Sequence, residues 1–297
     1  MANIERNGTV SLNAIKKKES GRAVRRMNKT IIYIVLIFLA LLSILPFWIM
    51  FVNATRSTPE IQSGLSLLPS THLASNWNVL LDKSFDPIRG FFNSLIISGS
   101  ATLLTVYFSS LTAYGLTAYN WKMRQPFFTF IMCVMMIPAQ ASAIGFYQFM
   151  YQLHWTNNFL PLILPAIAAP AVVFFMRQYL LATLSIEMVE AARIDGSGEF
   201  RTFNRIVMPI MIPAVATQAI FAFVANWNNL FMPLILLTQK EKYTLPVMVS
   251  LLRGDIYKTE FGSIYLGLAL TTLPLFVIYF LLSRYIIAGV ALGGVKE

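Results

Sequence analysis

Cysteine and charge are what this 297-residue chain has least of. Its single cysteine, Cys133, lies in an apolar run with no partner, so a disulfide framework and a cysteine metal site are both excluded. Cys133 therefore reads as small hydrophobic packing. Only two histidines occur, His72 and His154, far apart in sequence. A membrane-embedded enzyme would need a metal-ligand cluster or a nucleophile–base pair, and neither can be assembled from them. Charged residues make up 12% of the chain, about half the usual share of a soluble domain. The chain also lacks a G-x-x-x-x-G-K-[ST] phosphate loop; "GVALGGVK" near the end has neither the spacing nor the following Ser/Thr. ATP hydrolysis is therefore not expected of this chain.

What fills the space is apolar. Hydrophobic residues make up 57% of the chain and mean hydropathy is +0.64. No charge occurs from Thr30 to Thr55, Gly90 to Trp121, Gln125 to Met176, Ile206 to Gln239 or Phe261 to Ser283. A spanning helix needs roughly 20 mostly apolar residues. Four runs fit one helix each, and the third, broken at "QLHWTNN", fits two. The spacing predicts an all-α integral membrane protein with six transmembrane helices, at 30–53, 91–118, 127–150, 159–181, 208–231 and 262–284. The first span exceeds a signal-peptide core and lacks a small-x-small cleavage site, so it reads as a retained anchor. A proton- or ion-coupled secondary transporter would be expected to carry ionisable groups inside its spans; charge-free runs speak against that alternative.

The net charge of +10 invites a nucleic-acid reading, but its distribution answers differently. Eight basic residues, from Arg6 to Lys29, form a tail over 1–29 ahead of the first span. No base-stacking or groove-reading element accompanies them, so no nucleic-acid partner is expected. Alternating the loops from a cytoplasmic N-terminus puts sixteen Lys and Arg inside against seven outside. That is the direction of the positive-inside rule, and it predicts both termini in the cytoplasm. Prolines 46, 138, 161, 165, 170 and 274 interrupt the spans. The carbonyls they free must find neighbouring helices or water; a wet cavity and ordinary bundle packing both answer that need.

One stretch resists the oily pattern. Glu187, Glu190, Arg193, Asp195, Glu199, Arg201 and Arg205 fall between the fourth and fifth spans. Burying them mid-bilayer would cost about 3 kcal/mol each, roughly 20 kcal/mol in all, so 185–207 must lie outside the hydrocarbon. Ser185 can cap a helix whose first turn holds Glu187, Glu190 and Arg193 can pair at i, i+3, and Gly196 can end it in the left-handed conformation. A second helix from Ser197 would show Phe200, Phe203 and Val207 as an apolar stripe. A solvated connector would look much the same, but an apolar stripe beside acids also suits docking.

"EAARIDGSGEFRTFNRIVMPIMIP", Glu190 to Pro213, resembles the EAA loop of permeases in ATP-binding-cassette importers. Glu190, Ala191, Ala192, Asp195, Gly196, Phe203, Ile206, Pro209 and Pro213 fill that pattern. Many members have proline where Ser185 stands. "FNSLIISGSATLL", "SLTAYGLTAYNW", "MMIPAQ", "ANWNNLFMPLIL" and "GVALGGVKE" further resemble the carbohydrate-uptake, maltose-type branch, and the likeness runs from about Ile31 to Glu297. The resemblance implies a type I importer permease fold in a bacterial-type inner membrane. It also implies a second homologous permease, a dimeric cytoplasmic ATPase carrying ATP and magnesium, an extracytoplasmic solute-binding protein and a carbohydrate cargo. No cofactor is expected in this chain. A non-sugar cargo is the alternative within the same class.

By the same resemblance Glu190, Ala191, Ala192, Asp195, Gly196, Phe200 and Phe203 would couple to the ATPase. Sugars are bound by stacking faces and amides, which nominates Asn93, Gln140, Gln218, Asn226 and Asn228, with Tyr114 and Trp227 as platforms, for the pathway. Polar groups in bilayers also glue helices together, and Trp227 could be an interface anchor. The outer segment 238–260, with Lys240, Lys242, Arg253 and Asp255, corresponds to the family's loop toward the binding protein.

Overall fold

A computed structural model describes residues 29–82, 85–252 and 259–294, with side chains outside that description at 82, 139–140 and 281–294. Arg253, Asp255 and the basic tail before Lys29 therefore lie outside the described residues. Among the described residues all regular structure is helical. The first helix, α1 (Lys29–Ala54), is apolar all round and exposed over its most apolar stretch. Such a helix suits lipid or another subunit. Near its end Phe47 and Phe51 contact the ring of Phe276. Two short helices follow in the connecting loop, α2 (Thr58–Gln62) and α3 (Leu73–Asp82).

The bundle is organised on α4 (Pro87–Ala118), capped by the Asp86 carboxylate, which accepts from the Arg89 backbone N–H. Its buried face is small and hydroxylic: Ser94, Ser98, Ala101, Thr102, Thr105, Ser109, Ser110, Ala113 and Thr117. Small residues let helices approach closely in a membrane. Ser98, Ser110 and Thr117 satisfy themselves by donating to carbonyls four residues back.

The expected span at 127–150 is two helices, α5 (Arg124–Val134) and α6 (Ala139–Gln152). Pro138 has no N–H to continue α5 and caps α6 instead. Neither piece alone is long enough to cross, so five continuous stretches, not six, meet that length among the described residues. Cys133, in α5, is exposed instead of packed. The next stretch runs through α7 (Leu160–Ile163), a 3-10 turn (Leu164–Ile167) and α8 (Pro170–Thr183). Its break is met by a neighbouring helix: Thr105 donates to the freed Ala166 carbonyl at 3.0 Å. Arg177 of α8 is buried, with its guanidinium 4.1 Å from the Phe128 ring centroid.

The charged segment forms α9 (Ile186–Ile194), α10 (Glu199–Thr202) and a π-helical turn (Phe203–Val207), and leads into α11 (Met208–Trp227). The two expected short helices are therefore one short helix and the start of a long one, since Glu199–Trp227 is a single helical stretch. Beyond it lie α12 (Phe231–Leu236), a 3-10 turn (Lys240–Lys242), α13 (Leu245–Leu251) and α14 (Phe261–Gly294). Helices α4, α8, α11 and α14 pack together as the centre. Two cores result. One, at the α9 end, gathers Val106, Tyr114, Met176, Leu180, Val189, Phe203, Val207 and Met211. The other, at the opposite end, gathers Leu80, Phe85, Phe223, Trp227, Leu245, Met248 and Ile264.

Candidate functional site

The charged turn sits on the first of these cores. Val189 and Phe203 are fully buried beneath it and Ala192 nearly so. Helix α9 ends in a Schellman arrangement: the Ser197 N–H donates to the Ala192 carbonyl and the Gly196 N–H to that of Arg193. Gly196 has φ +74°, which a Cβ makes costly, although the space around it is open. Ser185 does not cap the helix backbone; its hydroxyl binds the Glu187 carboxylate. That hydrogen bond, with help from a backbone N–H, lowers the Glu187 carboxyl below its usual range.

The expected pairing of Arg193 with Glu190 is replaced. Arg193 Nε donates to Glu199 Oε1 at 2.7 Å, across the glycine turn, and its guanidinium lies 5.0 Å from the Tyr119 ring centroid. Hydrogen bonding to Glu199, then to Tyr119, raises the Arg193 pKa further. Burial, then hydrogen bonding to Glu199, raises the Tyr119 phenol. The pair is 34% and 45% exposed in its side chains, so it adds only about 0.2–1 kcal/mol of stability. Glu190, Ala191, Asp195, Gly196 and Phe200 are exposed, while Ala192 and Phe203 face inward. The coupling set thus divides into a surface and its floor. Sequence reasoning missed two members of that surface, Ile194 at 86% and Met188 at 45% exposure. Ile194 sits on the helix face opposite the buried Val189 and Ala192, which the 3.6-residue helical period could have shown.

The pathway candidates scatter. Tyr114 lies in the core under the charged turn, its hydroxyl 3.1 Å from Glu199 Oε2 and its ring against Phe203. Asn93 is committed to the opposite loop, donating to the carbonyls of Glu241 and Tyr243. Trp227 is 1% exposed, stacked on Phe223 and bonded to the Thr271 carbonyl. Its ring is held in the core between Phe91 and Phe223. Asn226 donates back to Ala222; Gln218 is half-buried on α11. Gln140 starts α6, but its side chain lies outside the described residues. Asn228 is exposed and lines a groove of about 350 Å³ with Leu230, Pro246, Val249, Ser250, Leu268, Thr271 and Thr272. Ser250, Thr271 and Thr272 put hydroxyls beside it, so it combines amide, hydroxyl and apolar surface.

The loop after α12 is stapled at its base. Asn157, at φ +58°, accepts from the Thr238 and Gln239 N–H groups, and the Leu245 N–H donates to Ser94. Lys242 Nζ donates to the Asn157 carbonyl at 2.6 Å, so Lys242 serves the staple and only Lys240 of the nominated pair is exposed.

Comparison with known proteins fits this architecture. The family model "Binding-protein-dependent transport system inner membrane component" matches residues 105–291. The chain is 32% identical over 277 residues to "Arabinooligosaccharides transport system permease protein AraQ" of Bacillus subtilis (strain 168), covering 92% of this chain and 97% of that one. It is 33% identical over 272 residues to "Lactose transport system permease protein LacG" of Rhizobium radiobacter, covering 92% and 98%. A crystal structure of a bacterial ABC transporter involved in alginate import shares the fold, with a TM-score of 0.75 at 21% identity, over 88% of this chain and 97% of that one. The chain belongs to the family of binding-protein-dependent transport system inner membrane components.

Proposed function

We propose that the chain is one of two permease subunits of an ATP-driven carbohydrate importer, with both termini in the cytoplasm. A separate dimeric ATPase carries ATP and magnesium, and an extracytoplasmic binding protein delivers the cargo. The observation that carries this reading is the charged turn: Glu190, Asp195, Ile194 and Phe200 exposed on a floor of fully buried Val189 and Phe203. Apolar residues this exposed, rimmed by acids and rigidly seated, suit a protein partner. Glu190 would meet a basic group there, while Ile194, Met188 and Phe200 would enter an apolar cleft. The carbohydrate assignment rests on relatives over nine-tenths of the chain that are named for arabino-oligosaccharides and for lactose. The Asn228 groove, with its hydroxyls and amide, is the surface of this chain best suited to a sugar. Uptake of radiolabelled oligosaccharides by vesicles holding the full complex tests the cargo, and the reading predicts competition among sugars but none by phosphate or polyamines.

Replacing Ile194 by Glu puts a charge at the most exposed apolar point of the turn. The expected outcome is loss of ATPase co-purification with the chain still in the membrane. Undiminished co-purification would remove the docking assignment.

A further inference from the structure

Helix α4 is gripped by polar side chains at both ends. At the charged turn, Glu199 joins three elements: Arg193 of α9, its own α10, and Tyr114 of α4. Tyr119, at the end of α4, closes the same cluster under the Arg193 guanidinium. Tyr107, two turns back from Tyr114, donates to Asn204 and packs on Phe203. At the other end, Asn93 holds the Glu241 and Tyr243 carbonyls, and Ser94 accepts from Leu245 N–H. The two grips stand about 30 Å apart along one uninterrupted helix. Between them α4 packs on both α8 and α11. None of these side chains is needed to make α4 apolar, and a stable helix would not need them.

We propose that α4 is the strut through which the charged turn and the outer loop at 238–244 sense one another, with Tyr114–Glu199 and Asn93 as its two latches. This rests on the permease reading above, in which the turn meets the ATPase and the outer loop meets the binding protein. A rigid element held at both ends moves as one body, so a shift of the turn on nucleotide closure reaches the outer loop. By reciprocity, seating of the binding protein reaches the ATPase. Tyr114 and Asn93 act as positioning residues and touch no solute.

The test uses the complete complex in proteoliposomes, with wild-type chain, Tyr114→Phe, Asn93→Ala and the double variant. Tyr114→Phe removes one hydroxyl and keeps the ring on Phe203. Each single variant is expected to assemble and to keep basal ATP hydrolysis, but to lose about tenfold of the stimulation by loaded binding protein. The double variant should lose no more than the worse single one, because both latches serve one strut. Full stimulation in the single variants, or losses that multiply in the double, would overturn the proposal. If Asn93→Ala fails to assemble, Ser94→Ala breaks the same end and is read in the same way. A wild-type complex without stimulated hydrolysis would instead overturn the permease reading.

Discussion

Gly196 and Gly262 are the two glycines whose replacement should matter most, for opposite reasons. At Gly196 the surroundings are open and only the backbone objects, at φ +74°. A side chain there costs about 1–2 kcal/mol, least for asparagine. Gly196→Asn should therefore retain more uptake than Gly196→Val, and Gly196→Asp should assemble yet uncouple hydrolysis from uptake; measured uptake per ATP decides both. At Gly262 the backbone is ordinary and the space is absent. A Cβ would stand 2.4 Å from the Arg56 carbonyl and 2.5 Å from the Asn76 amide, and Asn76 itself binds the Ala54 and Arg56 carbonyls. Gly262→Ala should lower stability by about 1–3 kcal/mol, read as a drop in Tm of the detergent-solubilised protein. An unchanged Tm would mean α14 is free to shift. Gly196 could be read from the sequence because the left-handed C-cap is a local event. Gly262 could not, because the clash comes from residues two hundred positions away.

Among the elements, the segment at 56–76 is a polar knot. The Glu60 carboxylate accepts from Ser57 N–H and Ser70 and faces His72 at 3.5 Å. The Ser57 backbone hydrogen bond is the main reason its carboxyl lies below the ordinary value of 4.5. A lowered carboxyl stabilises the fold above that ordinary value and loses the contribution as pH falls through its folded value. The segment should accordingly stay protease-resistant at neutral pH and open in acid, as pH falls below the ordinary carboxyl value. Glu60→Gln should be susceptible at neutral pH already; equal resistance of the two proteins would refute the knot. Element identity was largely legible, since run length and charge alone locate α1, α4, α11 and α14. The break in the third span was less so. Pro138 was visible, but whether a proline kinks or ends a helix depends on what neighbours offer its freed carbonyls. The Arg193–Glu199 pair was hidden for a similar reason: six residues apart, they meet only because Gly196 folds α9 back.

For the whole molecule, the proposed function sets a soluble engine at the α9 end and a delivery partner at the other, with α4 as the proposed strut between them. The proposed coupling residues, Phe200 apart, come from a fixed pattern of nine positions in the sequence. Pathway residues are harder to read, because amides that line a channel and amides that hold helices have the same chemistry; Asn93 and Tyr114 are bonded to neighbouring chain segments. The measurement that tests the account most directly is ATP hydrolysis by the purified complex in lipid, with and without sugar-loaded binding protein. The account predicts that hydrolysis and sugar uptake rise together when the loaded protein is added, and that Ile194→Glu abolishes both. Uptake by this chain without an ATPase partner, or hydrolysis indifferent to the binding protein, would contradict it.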